Sequence, residues 1–209
     1  MFDKKQHWES VYSHRKLTEV SWYEPIPETS LSIIKKFKLP KDASIIDIGG
    51  GDSLFVDYLL RLGYTNITVL DISAHAIGRA KERLGDKAES VNWAVSDVLN
   101  YNPSEQYDLW HDRATFHFFT ESADQQQYLD RAHQCLNPGG YMVLSTFSVA
   151  GPSKCSGLSV QQYSETSLSN MFGAYFEKIK CINKLHATPL HVIQKFIYCS
   201  FRNKVLTVS

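Results

Sequence analysis

The 209-residue sequence lacks the features that mark several classes of protein. Lys and Arg total 22 and Asp and Glu total 22, so the chain has no basic excess of the kind that duplex-binding proteins carry. No apolar run approaches the roughly 20 residues that cross a bilayer, and the N-terminus has no apolar signal core. These absences predict a cytoplasmic protein whose partners include neither nucleic acid nor a membrane.

Cysteine is scarce and scattered. Cys135, Cys155, Cys181 and Cys199 show neither a CxxC pair nor the spacing of a zinc finger. In a chain without a secretion signal, such cysteines are expected to be reduced thiols. The sequence therefore predicts neither a disulfide scaffold nor a structural zinc module.

What the chain does have is an alternation of short apolar runs and helical stripes. The runs lie at 43–48, 67–70, 91–95, 107–111 and 141–147, and the helices between them are predicted from apolar residues at helical spacing. Strands that are apolar throughout are typical of a parallel sheet covered by helices on both faces. After residue 147 the rhythm changes, and 176–185 and 191–202 predict a hairpin of two long strands.

Three glycines, Gly49 to Gly51, follow the first predicted strand and precede a helix. Glycine lets the backbone approach a ligand without a Cβ clash, and a helix N-terminus carries a partial positive charge. The pattern is typical of the nucleotide-binding turn of Rossmann-type folds. A tight strand-to-helix turn without a ligand is the alternative interpretation.

Acidic residues follow the next two strands. Asp71 ends the second strand about 20 residues after the glycines, where an acid accepts hydrogen bonds from both hydroxyls of a ribose. Asp97 follows the third strand and is placed to accept from an exocyclic amine, with Ile72 and Val98 on either side of a flat base. An exposed acid at a strand end and an Asx turn are the respective alternatives.

Two cofactors, NAD and S-adenosylmethionine, suit this set of glycines and acids. The dinucleotide fingerprint requires a glycine where this chain has Leu54. A dinucleotide fold also continues with parallel strands, whereas this chain ends in a hairpin. Both differences favour S-adenosylmethionine.

Residues 47–53 (DIGGGDS) resemble D-h-G-x-G-x-[GS], the first motif of the class I S-adenosylmethionine-dependent methyltransferases. Asp71, Asp97 and the stretch 107–113 fall where later motifs of that family do, and 136–140 (LNPGG) resembles its L-x-P-G-G. The resemblance covers about residues 7 to 203. It implies an α/β, Rossmann-like, doubly wound sheet of seven strands, mostly parallel, with one antiparallel strand contributed by the C-terminal hairpin.

A closer resemblance involves 8–23, 112–118 and 155–158, which look like a group of small bacterial methyltransferases without assigned substrates. More distantly, the chain is similar to eukaryotic lysine methyltransferases that act on elongation factor or citrate synthase. We expect a single domain over 1–209, with a helical cap at 1–42, a cofactor-binding core at 43–147 and a substrate loop and hairpin at 148–209. The oligomeric state is left open.

The predicted function is transfer of a methyl group from S-adenosylmethionine to a small-molecule acceptor, with S-adenosylhomocysteine as the product. The predicted cofactor contacts are Trp22, Asp47, Gly49, Gly50, Gly51, Ser53, Asp71, Ile72, Ser73, Asp97, Val98 and Asp112. The alternatives are a methyltransferase for protein lysine or N-terminal amines and a non-catalytic Rossmann module that binds adenosyl ligands.

Catalysis is assigned to histidine. His117 follows the fourth strand, where a neutral imidazole is placed to take a proton from the acceptor, and His186 near the hairpin turn is the second candidate. Packing of His117 in the core or against the cofactor is the alternative. No metal site is expected, because the spacing of His117, Cys155 and His186 matches no metal signature. Aromatic residues of the first 23 positions are predicted to form either a lid over the cofactor or a fixed packing element.

Overall fold

The elements follow the alternation of apolar runs and helical stripes. The computed structural model describes residues 3–205. The strands are β1 (Ser44–Ile48), β2 (Asn66–Asp71), β3 (Val91–Val95), β4 (Tyr107–Arg113), β5 (Leu136–Phe147), β6 (Lys154–Cys155), β7 (Leu158–Ser159), β8 (Phe176–Ala187) and β9 (Ile193–Asn203). The helices are α1 (Lys4–His14), α2 (Glu28–Phe37), α3 (Phe55–Arg61), α4 (Ala74–Leu84), α5 (Ser122–Cys135) and α6 (Glu165–Phe172). None of the helices within this range is long and apolar enough to cross a bilayer.

Seven strands form one sheet in the order β3-β2-β1-β4-β5-β9-β8. Strands β1 to β5 are parallel to one another. Strand β9 runs antiparallel between β5 and β8, so the hairpin supplies the antiparallel strand. The predicted Rossmann-like sheet and its C-terminal hairpin are confirmed.

Helix α4 illustrates how local sequence sets the element bounds. The Ser73 hydroxyl accepts a hydrogen bond from the amide of Ala76 at 3.2 Å, which satisfies one of the free N–H groups at the helix start. Gly85 ends the helix with a φ of 56°, a conformation that glycine adopts without a Cβ penalty. Both signals are local, so they can be recognised in the sequence.

Apolar side chains fill both faces of the sheet. Ile33, Phe55 and Ile77 come from α2, α3 and α4 and pack on one face. Tyr128 and Phe172 come from α5 and α6 and pack on the other. Burial of each such side chain contributes about 1.5–3 kcal/mol to the free energy of unfolding. The packed sheet therefore supports the loops at its edge.

A buried polar chain ties α2 to the sheet. The Nδ1 atom of His111 in β4 lies 2.6 Å from the Asp47 carboxylate in β1, and its Nε2 lies 2.8 Å from the Ser30 hydroxyl in α2. The His111 ring also stacks on Phe55, with ring centroids 3.9 Å apart. All three polar residues are buried, so this arrangement is a structural clamp.

Two cysteines correct the prediction of four reduced thiols. Cys181 and Cys199 are cross-strand partners in β8 and β9, and a disulfide joins them. Cys135 and Cys155 are free and buried. The spacing of the cysteines along the chain does not reveal this pair, because strand register brings the two partners together.

The loop after β5 contains the short hairpin of β6 and β7, which the sequence did not predict. Two-residue strands are too short to produce an alternation of apolar and polar residues. The hairpin places Cys155 and Leu158 beside the carboxyl ends of the central strands.

Candidate active site

A cavity of about 330 Å³ opens at the carboxyl ends of β1 to β4. This is the edge where open parallel sheets bind ligands. The cavity is lined by Lys4, Trp8, Tyr12, Trp22, Ile48, Gly49, Leu70, Asp71, Ile72, Ser96, Asp97, Val98, Arg113, Ala114, Thr115, Phe118, Phe119, Thr120, Cys155, Leu158 and Ser159. Most of this lining is apolar. Its charged residues, Lys4, Asp71, Asp97 and Arg113, come from different elements of the fold.

The glycine turn after β1 forms the floor of the cavity. Gly49 and Gly51 have φ values of 60° and 48°, in the left-handed region that favours glycine. A Cβ at Gly49 would lie 2.0 Å from the Thr115 hydroxyl oxygen, and one at Gly51 would lie 2.8 Å from the Tyr12 hydroxyl oxygen. Glycine is therefore required both by the backbone conformation and by the close approach of neighbouring segments.

Two arginines of α4 hold the end of the glycine turn. Arg79 Nη2 lies 2.6 Å from the Asp52 carboxylate. Arg83 donates to the backbone oxygens of Asp52 and Ser53 at 2.7 and 2.9 Å, and it pairs with Asp57 in α3. The turn is thus fixed from behind before any ligand binds.

Asp71 and Asp97 present carboxylates at the ends of β2 and β3. Asp71 Oδ1 accepts from the Ser73 amide at 2.8 Å, and Asp97 Oδ1 accepts from the Leu99 amide at 2.9 Å in an Asx turn. Within residues 3–205, Oδ2 of each accepts no hydrogen bond. Burial raises the pKa of Asp71 to about 7, although the Ser73 N–H lowers it. A buried carboxylate with an unused oxygen is suited to receive hydrogen bonds from a ligand.

Helix α1 crosses the mouth of the cavity with aromatic side chains facing inward. The Trp8 ring lies 5.1 Å from that of Phe118 and 5.8 Å from that of Trp22, in edge-to-face geometry. The rings of Tyr12 and Trp22 are 6.1 Å apart. This aromatic wall separates the cavity from solvent on one side.

Polar contacts fasten α1 in this position. The Glu9 carboxylate accepts from the Ser73 hydroxyl and the Ala74 amide, both at 2.8 Å, and from the His75 amide at 3.1 Å. Arg79 donates to the Tyr12 backbone oxygen at 2.8 Å. Because Arg79 also pairs with the glycine turn, the cap helix and the turn share one anchor.

Arg113 lies where β4 ends, at the part of the cavity next to β6 and β7. Its Nε donates to the Tyr198 hydroxyl at 3.2 Å, its Nη1 donates to the Trp22 backbone oxygen at 2.7 Å, and its Nη2 lies 3.1 Å from the Glu24 carboxylate. Burial lowers the pKa of Arg113, but Tyr198 and Glu24 raise it by more. The side chain is therefore a fixed, largely buried cation in the cavity wall.

Comparison with known proteins shows which proteins this chain is similar to. Residues 46–142 match the family model described as methyltransferase domain. Residues 46–142 therefore carry a methyltransferase domain. The matched region of the methyltransferase domain runs from β1 to β5 and includes the glycine turn, Asp71 and Asp97.

Relatives of the methyltransferase domain have different named substrates. Malonyl-[acyl-carrier protein] O-methyltransferase 1 of Ilyobacter polytropus is 37% identical over 108 residues, which are 51% of this chain and 39% of that protein. EEF1A lysine methyltransferase 2 of Mus musculus is 28% identical over 159 residues, 68% of this chain and 64% of that protein. The chain thus spans well under half of the malonyl enzyme it matches.

The fold also matches a solved methyltransferase. The enzyme is 1,6-didemethyltoxoflavin N1-methyltransferase from Burkholderia thailandensis, solved with 1,6-didemethyltoxoflavin and S-adenosylhomocysteine bound. The match covers 96% of this chain and 84% of that chain, with a TM-score of 0.69 and 18% identity. The similarity concerns the fold.

The structure brings half of the predicted cofactor contacts together. The residues that line the cavity are Trp22, Gly49, Asp71, Ile72, Asp97 and Val98. Those that do not line it are Asp47, Gly50, Gly51, Ser53, Ser73 and Asp112. The second group lies behind the cavity wall, where its members shape the turn and the strand ends.

Asp112 and Asp47 are the members of that second group whose carboxylates contact other groups of the protein. The Asp112 carboxylate accepts from the amides of Thr115 and Phe116 and from the Tyr128 hydroxyl, so it fixes the turn after β4. Asp47 is engaged by His111 in the buried clamp. Both acids are used by the protein itself, which their positions in the sequence motifs did not reveal.

Ser53, Ser73 and the two inner glycines hold the frame. Ser53 Oγ accepts from the Phe55 amide at 3.1 Å at the start of α3. Ser73 caps α4 and donates to Glu9, as described above. Gly50 and Gly51 are buried under Asp47 and Tyr12. These residues support the cavity without lining it.

The position of His117 does not support a role as general base. The side chain is fully buried outside the cavity lining, and its Nδ1 accepts from the Phe147 amide at 3.3 Å. Burial, together with the nearby Arg113 charge, lowers the pKa of His117 to about 3. His117 is a core residue packed beside Phe147.

His186 is likewise outside the cavity lining. Its Nε2 lies 2.7 Å from the Ser21 backbone oxygen, and Nδ1 lies 3.6 Å from the Glu24 carboxylate. The ring therefore fastens the cap segment to β8. Among residues 3–205, no group of His, Cys, Asp and Glu side chains is arranged to hold a metal ion.

Sequence reasoning missed Glu9, Arg79, Arg83 and Arg113. Arg79 and Arg83 are four residues apart in α4, but the apolar stripe that predicts this helix does not reveal what its polar residues contact. Arg113 carried a detectable signal, because a charged residue at the carboxyl end of a buried strand faces the ligand edge of the sheet. Nothing in the sequence around Glu9 indicates its role, because its hydrogen-bond partners are more than 60 residues away.

Proposed function

We propose that the protein is an S-adenosylmethionine-dependent methyltransferase that acts on a small-molecule acceptor in the cytoplasm. The observation that carries the proposal is the cavity with Gly49 at its floor and Asp71 and Asp97 at adjacent strand ends. The family match over the same strands supports it.

The residues present fit the cofactor. Asp71 Oδ2 is free to accept from the ribose hydroxyls, and Asp97 Oδ2 from the adenine amine. Ile72 and Val98 offer apolar surfaces for the two faces of the base, and Gly49 admits close approach of the backbone because it has no Cβ. When bound, S-adenosylmethionine supplies a methyl group on a positively charged sulfur, from which it is displaced by a nucleophile.

The chain itself orients the reactants and excludes water. The wall of Trp8, Tyr12, Trp22 and Phe118 covers the cavity, and the α4 arginines hold the turn beneath it. Positioning of two reactants and exclusion of water lower the barrier of a direct displacement without a covalent enzyme intermediate. No side chain has to bond to the methyl group.

A small-molecule acceptor is supported by the covered mouth of the cavity and by the toxoflavin enzyme, which shares the fold. A protein lysine or N-terminal amine is the second candidate, supported by the similarity to EEF1A lysine methyltransferase 2. A non-catalytic adenosyl-binding module is the third, and turnover of any acceptor excludes it. The Cys181–Cys199 disulfide is unusual for a cytoplasmic protein, so the location stays a prediction.

The test is a calorimetric titration of the purified protein with S-adenosylhomocysteine and, separately, with NADH. S-adenosylhomocysteine is expected to bind with a Kd in the micromolar range, roughly −8 kcal/mol. Tighter binding of NADH than of S-adenosylhomocysteine would overturn the proposed function.

A further inference from the structure

A second cavity, with a volume of about 470 Å³, lies on the face of the sheet that α2 covers. It is a groove between α2 and the strands β5, β9 and β8, while α6 packs on β8 and β9 from the other face. Its volume is within the range of about 300–1,000 Å³ that is typical of small-molecule sites. The described residues that line the groove do not line the active-site cavity, so a ligand here would occupy a separate site.

The floor and one wall of the groove are apolar and held in place by the fold. The rings of Phe37 in α2 and Tyr141 in β5 are stacked, with centroids 4.1 Å apart. Ile182 packs against the same core, and Tyr198 is buried with its hydroxyl accepting from Arg113 at 3.2 Å. A surface that is formed before a ligand arrives loses little conformational entropy when the ligand binds.

Positive charge lies around this apolar floor. Lys36 in α2, Lys180 in β8 and Arg202 in β9 all line the groove and are exposed at its rim. In the part of the chain that the structure describes, none of the three forms an ion pair with a carboxylate. Glu177, the cross-strand partner of Arg202, is the one carboxylate among the described lining residues. The rim therefore has an excess of positive charge.

A bulge in β8 separates the charges of two lysines. The register with β9 shifts between Lys178 and Lys180, so these two residues face opposite sides of the sheet. Lys178 forms an ion pair with Glu165 of α6 at 2.6 Å, on the face away from the groove. Lys180 alternates with Ile182, which packs on the groove side. Lys180 is therefore the unpaired cation that β8 contributes to the groove.

We infer that this groove is a second binding site, for a small molecule that carries an anionic group on an aromatic body. The anion would pair with Lys36, Lys180 and Arg202, and the aromatic body would pack on Tyr141 and Ile182. Two copies of the chain that met groove to groove would bring rims of like charge together, which disfavours self-association. The inference goes beyond the proposed function and does not depend on it, because the two cavities share no lining residue among those described.

The experiment titrates the full chain with two fluorescent probes. The first is 1-anilinonaphthalene-8-sulfonate, an aromatic anion, and the second is N-phenyl-1-naphthylamine, which has the same ring systems without the sulfonate. Lys180→Glu reverses one charge of the rim, so the Kd of the anionic probe should rise about 5- to 10-fold. The Kd of the neutral probe should change by less than about twofold, because its binding depends on apolar contacts alone.

Lys87→Glu is the matched control, because it makes the same change in net charge at an exposed position between α4 and β3. It should leave the Kd of the anionic probe within about twofold of the wild-type value. An equal loss in Lys180→Glu and Lys87→Glu would mean that the probe responds to net charge alone, and would overturn the inference. Both positions are exposed, so both variants are expected to fold, and far-ultraviolet circular dichroism checks this.

Two further outcomes would overturn the inference. If the Kd of the anionic probe is the same in wild type and Lys180→Glu, the probe binds elsewhere, as in the active-site cavity, and the groove is not an anion site. Sedimentation of the ligand-free chain tests a second copy as the occupant. A dimer that dissociates in Lys180→Glu or on addition of the anionic probe would mean that the groove is an interface between copies. We expect the sedimentation of wild type and Lys180→Glu to be the same.

Discussion

Asp71 is a residue at which folding and binding have opposite requirements. Its pKa rises from the ordinary value of 3.8 to about 7, first because of burial and further because of the neighbouring Asp52 and Asp47 charges. Between these pH values the folded protein holds a proton that the unfolded chain releases. The free energy of unfolding therefore falls as the pH rises from about 4 to about 7, and the ionised carboxylate that a ribose requires is present at a cost to stability.

Substitution of Asp71 by Asn should separate the two requirements. At pH 8 the ligand-free Asp71→Asn protein is expected to be more stable by about 1–3 kcal/mol, because a buried charge is removed. Its affinity for S-adenosylhomocysteine should fall about 10- to 100-fold, because the ribose loses a charged acceptor. Urea unfolding at several pH values and calorimetry measure the two effects.

The matched control for this prediction is Asp86→Asn, at an exposed position. It should change stability by no more than about 0.5 kcal/mol and leave ligand affinity unchanged. A pH dependence of unfolding that is identical in wild type and Asp71→Asn would contradict the prediction.

At the scale of the element, helix α1 is held by a cap that belongs to another helix. The Glu9 carboxylate lies at the N-terminus of α4, where free N–H groups and the helix dipole favour an anion. Partial burial raises the pKa of Glu9, but hydrogen bonds from His75, Ser73 and Ala74 lower it by more. The stabilisation is therefore present above the unfolded pKa of about 4.3 and is lost as the pH falls through the lower folded value.

Glu9→Gln should loosen the cap helix without unfolding the sheet. Loss of a capping interaction worth about 1 kcal/mol predicts about fivefold faster amide exchange of residues 4–14 in the ligand-free protein. S-adenosylhomocysteine is expected to slow this exchange in wild type and variant, because a lid must close over its ligand. Mass spectrometry of exchanged peptides is the measurement.

Glu28→Gln, in the exposed first turn of α2, is the control for this variant. It should leave the exchange of 4–14 unchanged. If the amides of residues 4–14 exchange in Glu9→Gln at the wild-type rate, Glu9 does not hold helix α1 in place. If S-adenosylhomocysteine slows exchange in neither protein, α1 is a fixed packing element.

At the scale of the whole molecule, the clamp of Asp47, His111 and Ser30 joins three elements that are distant in sequence. It connects β1, β4 and α2 and lies directly under the glycine turn. Removal of one partner from a buried polar pair leaves the other without compensation. The clamp therefore matters for global stability more than for ligand contacts.

His111→Ala should lower the free energy of unfolding by about 3–5 kcal/mol, because Asp47 is left buried and unpaired. Urea denaturation measures this loss. His14→Ala, at an exposed position in α1, is the control and should cost no more than about 0.5 kcal/mol. A loss below about 1 kcal/mol in His111→Ala would mean that the clamp is not a principal stabilising contact.

Sequence alone determined the sheet, the hairpin and the ligand edge. These elements depend on interactions within a few residues, such as the cap at Ser73 and the helix end at Gly85. Such local interactions can be predicted from the sequence. Gly49, Asp71 and Asp97 were found for the same reason, since each sits at the end of a strand whose position the pattern fixes.

Tertiary structure decided which polar side chains face the cavity. Asp112 and His117 lie next to the ligand edge in sequence, yet the turn after β4 directs one to backbone amides and the other into the core. Arg113, by contrast, faces the cavity. A buried polar group must find a partner wherever the fold supplies one. That partner is often tens of residues away, as in the pairs of Glu9 with Ser73 and Asp47 with His111, so the role of such a residue is fixed only when the chain has folded.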